Sequence, residues 1–319
     1  MKTVYLSSMM VCALLLLVFP LTAATAVDKP FSVQTSVDTP QPYDNVKDEK
    51  VKVLMSATGE VSEFSLEDYL FGVVAAEMPA LYEGEALKAQ TVAAYTYYLR
   101  KSETHAADGY NISDDYTVDQ AFVTPEAAAE KWGDGAKEYE NKIRSAVKSV
   151  MGQKLTYDGA LAATVYHAIS SGKTENAQDV WGGDYPYLIS VDSSFDKLAS
   201  GYLSTVTKSA EEVKTALASI AEIGDLTINC FSDPVRSEAG GIKTINVAGK
   251  SASGSDVRRL LGLRSTDFDV AFDGSSYTFT VRGYGHGIGM SQNGANYMAQ
   301  QGKTYSDILL HYYPGCKIE

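Results

Sequence analysis

The chain has 319 residues, with 27 Lys and Arg against 40 Asp and Glu, a formal net charge of −13. Hydrophobic residues make up 45% and charged residues 21%, enough to build a sizeable core and too apolar for a disordered chain. The acidic excess excludes a nucleic-acid partner and a basic membrane-surface module, because both need clustered Lys and Arg. Tyr is abundant, 21 residues against 10 Phe and 2 Trp. Its flat apolar face and hydroxyl suit polar ring-shaped ligands, and the same side chain also serves in cores.

Residues 3–27 carry no charge and follow Lys2, with an apolar run through Met9–Phe19 and the small-x-small pattern Ala24-Thr25-Ala26. A signal peptidase reads that pattern, while about 20 apolar residues also suffice for a membrane span. Residues 1–26 are therefore a signal peptide or an N-terminal membrane anchor, and either one places the bulk of the chain outside the cytoplasm. Cys12 lies inside the apolar run, a poor position for a lipoprotein cysteine. Residues 27–50 are polar, contain Pro30, Pro40 and Pro42, and read as a flexible tether.

Residues 51–319 read as a single irregular α+β domain with several β-hairpins and a few helices, and no repeat emerges. Val51–Met55 and Val61–Ser65 flank Ala57-Thr58-Gly59-Glu60, a hairpin signature. Ser65 and Asp68 resemble a capping box that starts a helix at Leu66, which ends at Glu77 because Met78-Pro79 disfavours its continuation. A second helix is expected over Gly84–Arg100, then a polar loop or lid from Tyr110 to Gln120. Pro125–Val150 reads as an exposed helix broken near Gly133 and Gly135, and Leu155–Ala168 as a hairpin turning at Asp158-Gly159. Ser209 and Glu212 cap a helix to about Ala221. Ile242–Val247, a turn at Gly249 and a helix over Asp256–Leu261, N-capped by Ser255, follow. Tyr277–Arg282 alternates as a half-buried strand and feeds Gly283–Gly289, after which Ser291–Gln301 and Tyr305–Tyr312 are helical. Cys230 and Cys316 read as two unrelated thiols, although the compartment permits a disulfide between them.

Several motifs fail on inspection. Ser171-Gly172-Lys173-Thr174 imitates the end of a phosphate loop, but His167 stands where its first Gly is required. The glycines at 283, 285, 287 and 289 lack dinucleotide-site spacing, and Gly289–Gly294 is one residue too long for a nucleophile elbow. His105, His167, His286 and His311 are scattered, with no metal-binding pair. Two features remain. Glu77 closes an apolar helix, and a carboxyl group in such surroundings tends to keep its proton, as glycosidic-bond cleavage needs; a helix-end ion pair with Lys88 or Arg100 is the alternative. The glycine run lets the backbone approach a ligand or another strand closely. Within it, His286 is either a hydrogen-bond donor to a substrate hydroxyl or a satisfied structural histidine, and Ser291 reads as an N-cap.

Four blocks together resemble the stage II sporulation protein D family of peptidoglycan lytic transglycosylases: Val73–Pro79, Glu85–Ala94, Tyr166–Asn176 and Gly283–Gln292. Asp179-Val180-Trp181-Gly182 and Tyr187-Leu188 fit as well. The resemblance implies a fold built around a glycan-binding cleft, with Glu77 as the catalytic acid that cleaves the MurNAc–GlcNAc bond to a 1,6-anhydro-MurNAc end. It further implies substrate contacts from His286, Ser291, Gln292, Tyr95, His167, Ser171, Thr174, Gly285 and Gly287. Peptide-stripped glycan strands would be the substrate, and a cell-wall amidase and other engulfment membrane proteins the partners, during septal cell-wall degradation in sporulation. A non-catalytic, glycan-binding enhancer of an amidase is the alternative within the family. No cofactor is expected, and no metal, since His167 stands alone among Ser170, Ser171 and Lys173 where some members carry zinc ligands. Two departures stand out: Tyr95 replaces a family Arg, and Asn293 a family aromatic.

Overall fold

The computed structural model describes residues 46–105 and 107–319. The expected signal peptide or anchor and most of the tether lie outside these residues, and among the described residues no helix is long and apolar enough to cross a membrane. β1 (Lys50–Met55) and β2 (Glu60–Ser65) form the expected hairpin, with Val53 opposite Ser62. Ser65 then caps α1 (Leu66–Glu77), its Oγ accepting the Asp68 N–H at 3.1 Å. The helix stops where Met78 turns extended, at φ −120° and ψ 143°, ahead of Pro79.

α2 (Gly84–Thr104) runs one turn past Arg100 and is the spine of the molecule. Ala86, Ala89, Ala93 and Ala94 are buried along it, small enough for neighbours to approach closely. Its buried Thr91 and Thr96 hydroxyls donate back to Leu87 and Val92 carbonyls at 2.8 and 2.7 Å, whereas the equally buried Gln90 amide finds no protein partner. The stretch from Tyr110 to Gln120 is not a free lid. β3 (Ile112–Ser113) pairs in parallel with β1, and Asp119 accepts the Ser113 N–H at 2.8 Å, pinning both ends of the loop.

α3 (Pro125–Trp132) and α4 (Ala136–Val150) are separated by a short 3-10 turn at Gly133–Gly135, as the glycines suggest. α4 is not wholly exposed, since Ile143, Ala146, Val147 and Val150 bury one face. The hairpin expected over Leu155–Ala168 is shorter: β4 (Leu155–Tyr157) and β5 (Ala160–Leu161) turn at Asp158-Gly159, both at positive φ. β6 (Tyr166–His167) leaves that hairpin to pair in parallel with a distant strand, because the Gly-rich run offers it a bare backbone edge. α5 (Ala177–Trp181) follows, capped by Asn176.

A strand-rich region with its own hydrophobic core then begins. β7 (Leu203–Ser209) leads through the expected Ser209–Glu212 capping box into α6 (Ala210–Ala216), shorter than expected. β8 (Phe231–Arg236), β9 (Ile242–Val247) and β10 (Lys250–Ser253) make one antiparallel sheet. α7 (Gly254–Leu261) begins two residues earlier than expected, and its N-cap is Ser253 rather than Ser255: the Ser253 Oγ accepts the Asp256 N–H at 3.0 Å. β11 (Asp267–Phe272) and β12 (Ser276–Arg282) join β7 in a second sheet, order β11-β12-β7. Tyr277, Phe279 and Val281 of β12 point inward in strict alternation.

β13 (Met290–Ser291) meets β6, and α8 (Gln292–Gln300) and α9 (Tyr305–Tyr312) pack back on α2. β14 (Lys317–Ile318) closes on β4. The side chains divide into two hydrophobic cores. One gathers α1, α2, α4, α8 and α9 around Tyr69, Phe71, Leu87 and Tyr312; the other fills the space between the two three-stranded sheets and α7 with Phe231, Val257, Phe268 and Phe279. Cys316 belongs to the first core and Cys230 packs against the second, and both are free thiols.

Candidate active site

The end of α1 places Glu77 in the wall of a cavity of about 700 Å³, within the range of small-molecule and glycan sites. Glu77 makes no ion pair with Lys88, which holds Glu85 at 2.7 Å, nor with Arg100, whose Nη1 donates to the Leu161 carbonyl. Its carboxyl oxygens instead accept the Ala121 N–H at 3.3 Å and the Gln292 Nε2 at 3.0 Å. Burial raises the Glu77 pKa above the ordinary carboxylic value, and these two hydrogen bonds only partly counter it. The result is a fixed carboxyl group, biased by burial toward its neutral form, facing an open cavity.

The pinned 110–120 segment forms one side of that cavity with Tyr116, Asp119 and Gln120. Gln120 receives the Tyr166 hydroxyl at 2.8 Å and donates to the Tyr69 hydroxyl, while the Tyr97 hydroxyl donates to the Asp119 carbonyl oxygen at 3.2 Å. Asp119 itself is spent on Lys101 at 2.9 Å and His105 at 3.1 Å. Aromatic faces line the remainder: Trp181 at the end of α5 and Tyr284 in the Gly-rich run, each 48% exposed, with Tyr116 at 77%. Flat, half-exposed rings are what sugar faces stack on.

The Gly-rich run explains its own composition. Gly285 (φ +119°) lies so close to β6 that a Cβ would stand 2.6 Å from the Cβ of His167, and a Cβ on Gly289 (φ +70°) would overlap the Val165 carbonyl oxygen. The close approach is therefore to another strand. It brings His286 beside His167, ring centroids 5.7 Å apart, and beside Trp181 at 5.3 Å. The His286 Nδ1 accepts the Ile288 N–H at 3.1 Å, and a further backbone hydrogen bond ties the ring to Tyr166. Burial, with the neighbouring His167 and Arg258, pushes its pKa down to about 3. The ring is thus neutral and positioned by main chain, tilted at 50° to Trp181 in the cavity wall. His167 is the better hydrogen-bonding group. Its Nδ1 donates to the Ile288 carbonyl oxygen at 3.1 Å, leaving Nε2 without a protein partner, and burial lowers its pKa to about 4.

Of the residues singled out from sequence, Glu77, His167, Gly285, His286 and Gln292 meet in this cavity. Five others stand elsewhere. Tyr95 is buried in α2 and stacked on Tyr98, so the family Arg it replaces would not face the cavity from that position. Thr174 is wholly buried and bonded to Ile189 and Val191, and Ser291 caps α8 through the Gly294 N–H. Ser171 bonds the Ala239 carbonyl at 2.9 Å beside a small adjoining recess that Gly287 also lines. Asn293, at the other departure, donates to Asp196 at 3.0 Å and is structural. Among the described residues, no three His, Cys, Asp or Glu side chains converge as metal ligands. Sequence reasoning missed Tyr97, Asp119, Gln120 and Arg258 as cavity residues. The polar run ending at Gln120 was the one signal for its two members, and Arg258 carried none.

This arrangement sits in a chain of recognisable kinship. The sequence profile of the stage II sporulation protein family matches residues 55–157. Stage II sporulation protein D of Bacillus amyloliquefaciens is 38% identical over 271 residues, 84% of this chain and 78% of that protein. The Bacillus subtilis protein of the same name is 38% identical over 272 residues, with the same coverage. The amidase enhancer of Bacillus subtilis is 32% identical over 77% of this chain, which corresponds to 39% of that longer protein. The chain belongs to the stage II sporulation protein D family.

Proposed function

We propose that the protein is a peptidoglycan lytic transglycosylase acting on peptide-stripped glycan strands. The observation that carries this reading is Glu77: a buried carboxyl group with raised pKa, paired with no cation, in the wall of a large aromatic-lined cavity. Protonated Glu77 delivers its proton to the oxygen linking MurNAc to GlcNAc as the C1–O bond breaks. The resulting carboxylate then takes the proton of the MurNAc C6 hydroxyl while that oxygen bonds to C1, closing the 1,6-anhydro ring. One residue acts as acid and then base, so no second free carboxylate is needed. Gln292 and the Ala121 N–H hold the group in place through both charge states. The enzyme would work outside the cytoplasm, secreted or held by its N-terminal segment, beside a cell-wall amidase that strips the strands during sporulation.

Mass spectrometry of peptide-free strands tests this directly. Anhydro-muramic ends are expected from wild type, and a loss of roughly 10³-fold or more from Glu77→Gln. The pH dependence adds a second readout. Burial favours the neutral Glu77, so its contribution to stability is complete below its unfolded pKa and is lost as pH rises through the raised folded value. Glu77→Gln, which cannot ionise, should therefore melt higher than wild type at pH 7, with the gain vanishing below about pH 4. The similarity to an amidase enhancer favours a second reading, a glycan-holding helper of an amidase. Intact strands that co-sediment equally with wild type and Glu77→Gln would establish that reading instead.

A further inference from the structure

α7 puts into the cavity one side chain that the reaction above leaves unused. Arg258 is the one Lys or Arg among the described residues lining it. The side chain is half-buried, and no carboxylate pairs with it. Its Nε donates to the Leu263 carbonyl oxygen at 3.4 Å, and the acid on its own helix, Asp256, is taken by Arg259 at 3.0 Å. Asp119 in the same cavity is held by Lys101 and His105. Glu77 feels no cation at all, so Arg258 is not the partner of the acid. The Arg258 charge is felt at His167 and His286, which places it at the part of the cavity those rings occupy. A guanidinium drawn out of water without a counter-ion is unfavourable unless a ligand supplies one.

The glycan contains one group of that kind. GlcNAc is neutral, whereas MurNAc carries a lactyl group on O3. Its carboxyl is a free anion after stem-peptide removal and an uncharged amide before it. We infer that the two unengaged NH2 groups of Arg258 grip the lactyl carboxylate of a peptide-free MurNAc, so that Arg258 selects stripped strands over peptide-bearing ones. The planar fork of Arg matches a carboxylate through two parallel hydrogen bonds, and an amide offers neither the charge nor the second acceptor. This inference rests on the glycan as the ligand of the cavity.

Its test is a binding measurement without turnover. Full-length Glu77→Gln protein is titrated calorimetrically with a peptide-free GlcNAc–MurNAc tetrasaccharide and with the same sugar bearing its lactyl groups as N-methylamides. The free acid should bind on the order of tenfold to a hundredfold more tightly, a preference that weakens with added salt. Adding Arg258→Gln should equalise the two ligands by loss of affinity for the acid alone. Arg258→Lys, which keeps the charge without the fork, should retain part of the preference, and it carries the test if the Gln variant does not fold. A preference unchanged by either substitution, absent from the parent, or accompanied by no measurable binding of the free acid would overturn the assignment. Wild type that shows the preference but yields no anhydro ends would defeat the transglycosylase reading and leave Arg258 standing; wild type that cleaves acid and amide strands equally would do the reverse.

Discussion

The two hydrophobic cores are built by different means and contribute different parts of the cavity. The helical core is discontinuous in the chain: it takes residues from Val51 to Leu188 and is completed only by Ile288 to Cys316. The strand-rich core is contiguous, running from Ala210 to Val281. Glu77, Tyr97 and Gln292 stand on the first, and Arg258 on the second. A proton donor of raised pKa needs surroundings that exclude water on several sides, and segments distant in sequence supply them. A residue that reads one substituent needs only a well-seated helix. On the proposed reading, the acid is held by segments from both ends of the described chain, while Arg258 stands in a core of contiguous sequence.

The largest expected effect that bears on this contrast comes from Phe279→Ala, which removes a wholly buried ring from the strand-rich core at a cost of about 3–5 kcal/mol. Hydrogen exchange should then rise in β11, β12 and α7 while α2 stays protected; equal loss of protection in both cores would dissolve the distinction. Gly289→Ala comes next. Its positive φ alone costs about 1–3 kcal/mol, and the overlap with Val165 should part β13 from β6. A lower denaturant midpoint with loss of Glu77-dependent cleavage is expected, and retention of both would show that the helical core tolerates an open seam. Smallest is the cap of α7: Ser253→Ala should lower stability by about 1 kcal/mol and Ser255→Ala by almost nothing. The reverse ranking in thermal melts would return the N-cap to Ser255.

Local chemistry was readable in the chain wherever neighbours in sequence decide the outcome. The β1–β2 hairpin, the Ser65 cap, the stop at Met78-Pro79, the Gly133–Gly135 break and the inward alternation of β12 all follow from short-range rules. The misread strand and loop share a cause, which is pairing across long separations, whereas the α7 cap was missed by two residues for local reasons. β6 was assigned to a hairpin because its partner lies 124 residues downstream in β13, as the pairing of Tyr166 with Met290 and of His167 with Ser291 shows. The polar stretch after Tyr110 looked free because nothing nearby reveals the parallel pairing to β1. In the site, the apolar context of Glu77 left an ion pair with Lys88 or Arg100 open, and the family resemblance is what singled it out. The replacement of Lys88 and Arg100 by Ala121 and Gln292 as its partners was not legible, since Gln292 lies 215 residues away. Tyr95 and Thr174 sit in telling blocks yet serve packing, a division that depends on which way each side chain turns in three dimensions.

The same long reach has a consequence for how the molecule comes into being. While the chain is being made, α1 with Glu77 is finished early, but the carboxyl group has neither Gln292 beside it nor α8 and α9 against α2 until a segment more than 200 residues downstream has emerged. Contacts of such separation form late. The Glu77 carboxyl group therefore gains its fixed position only when a segment 215 residues downstream has joined the fold.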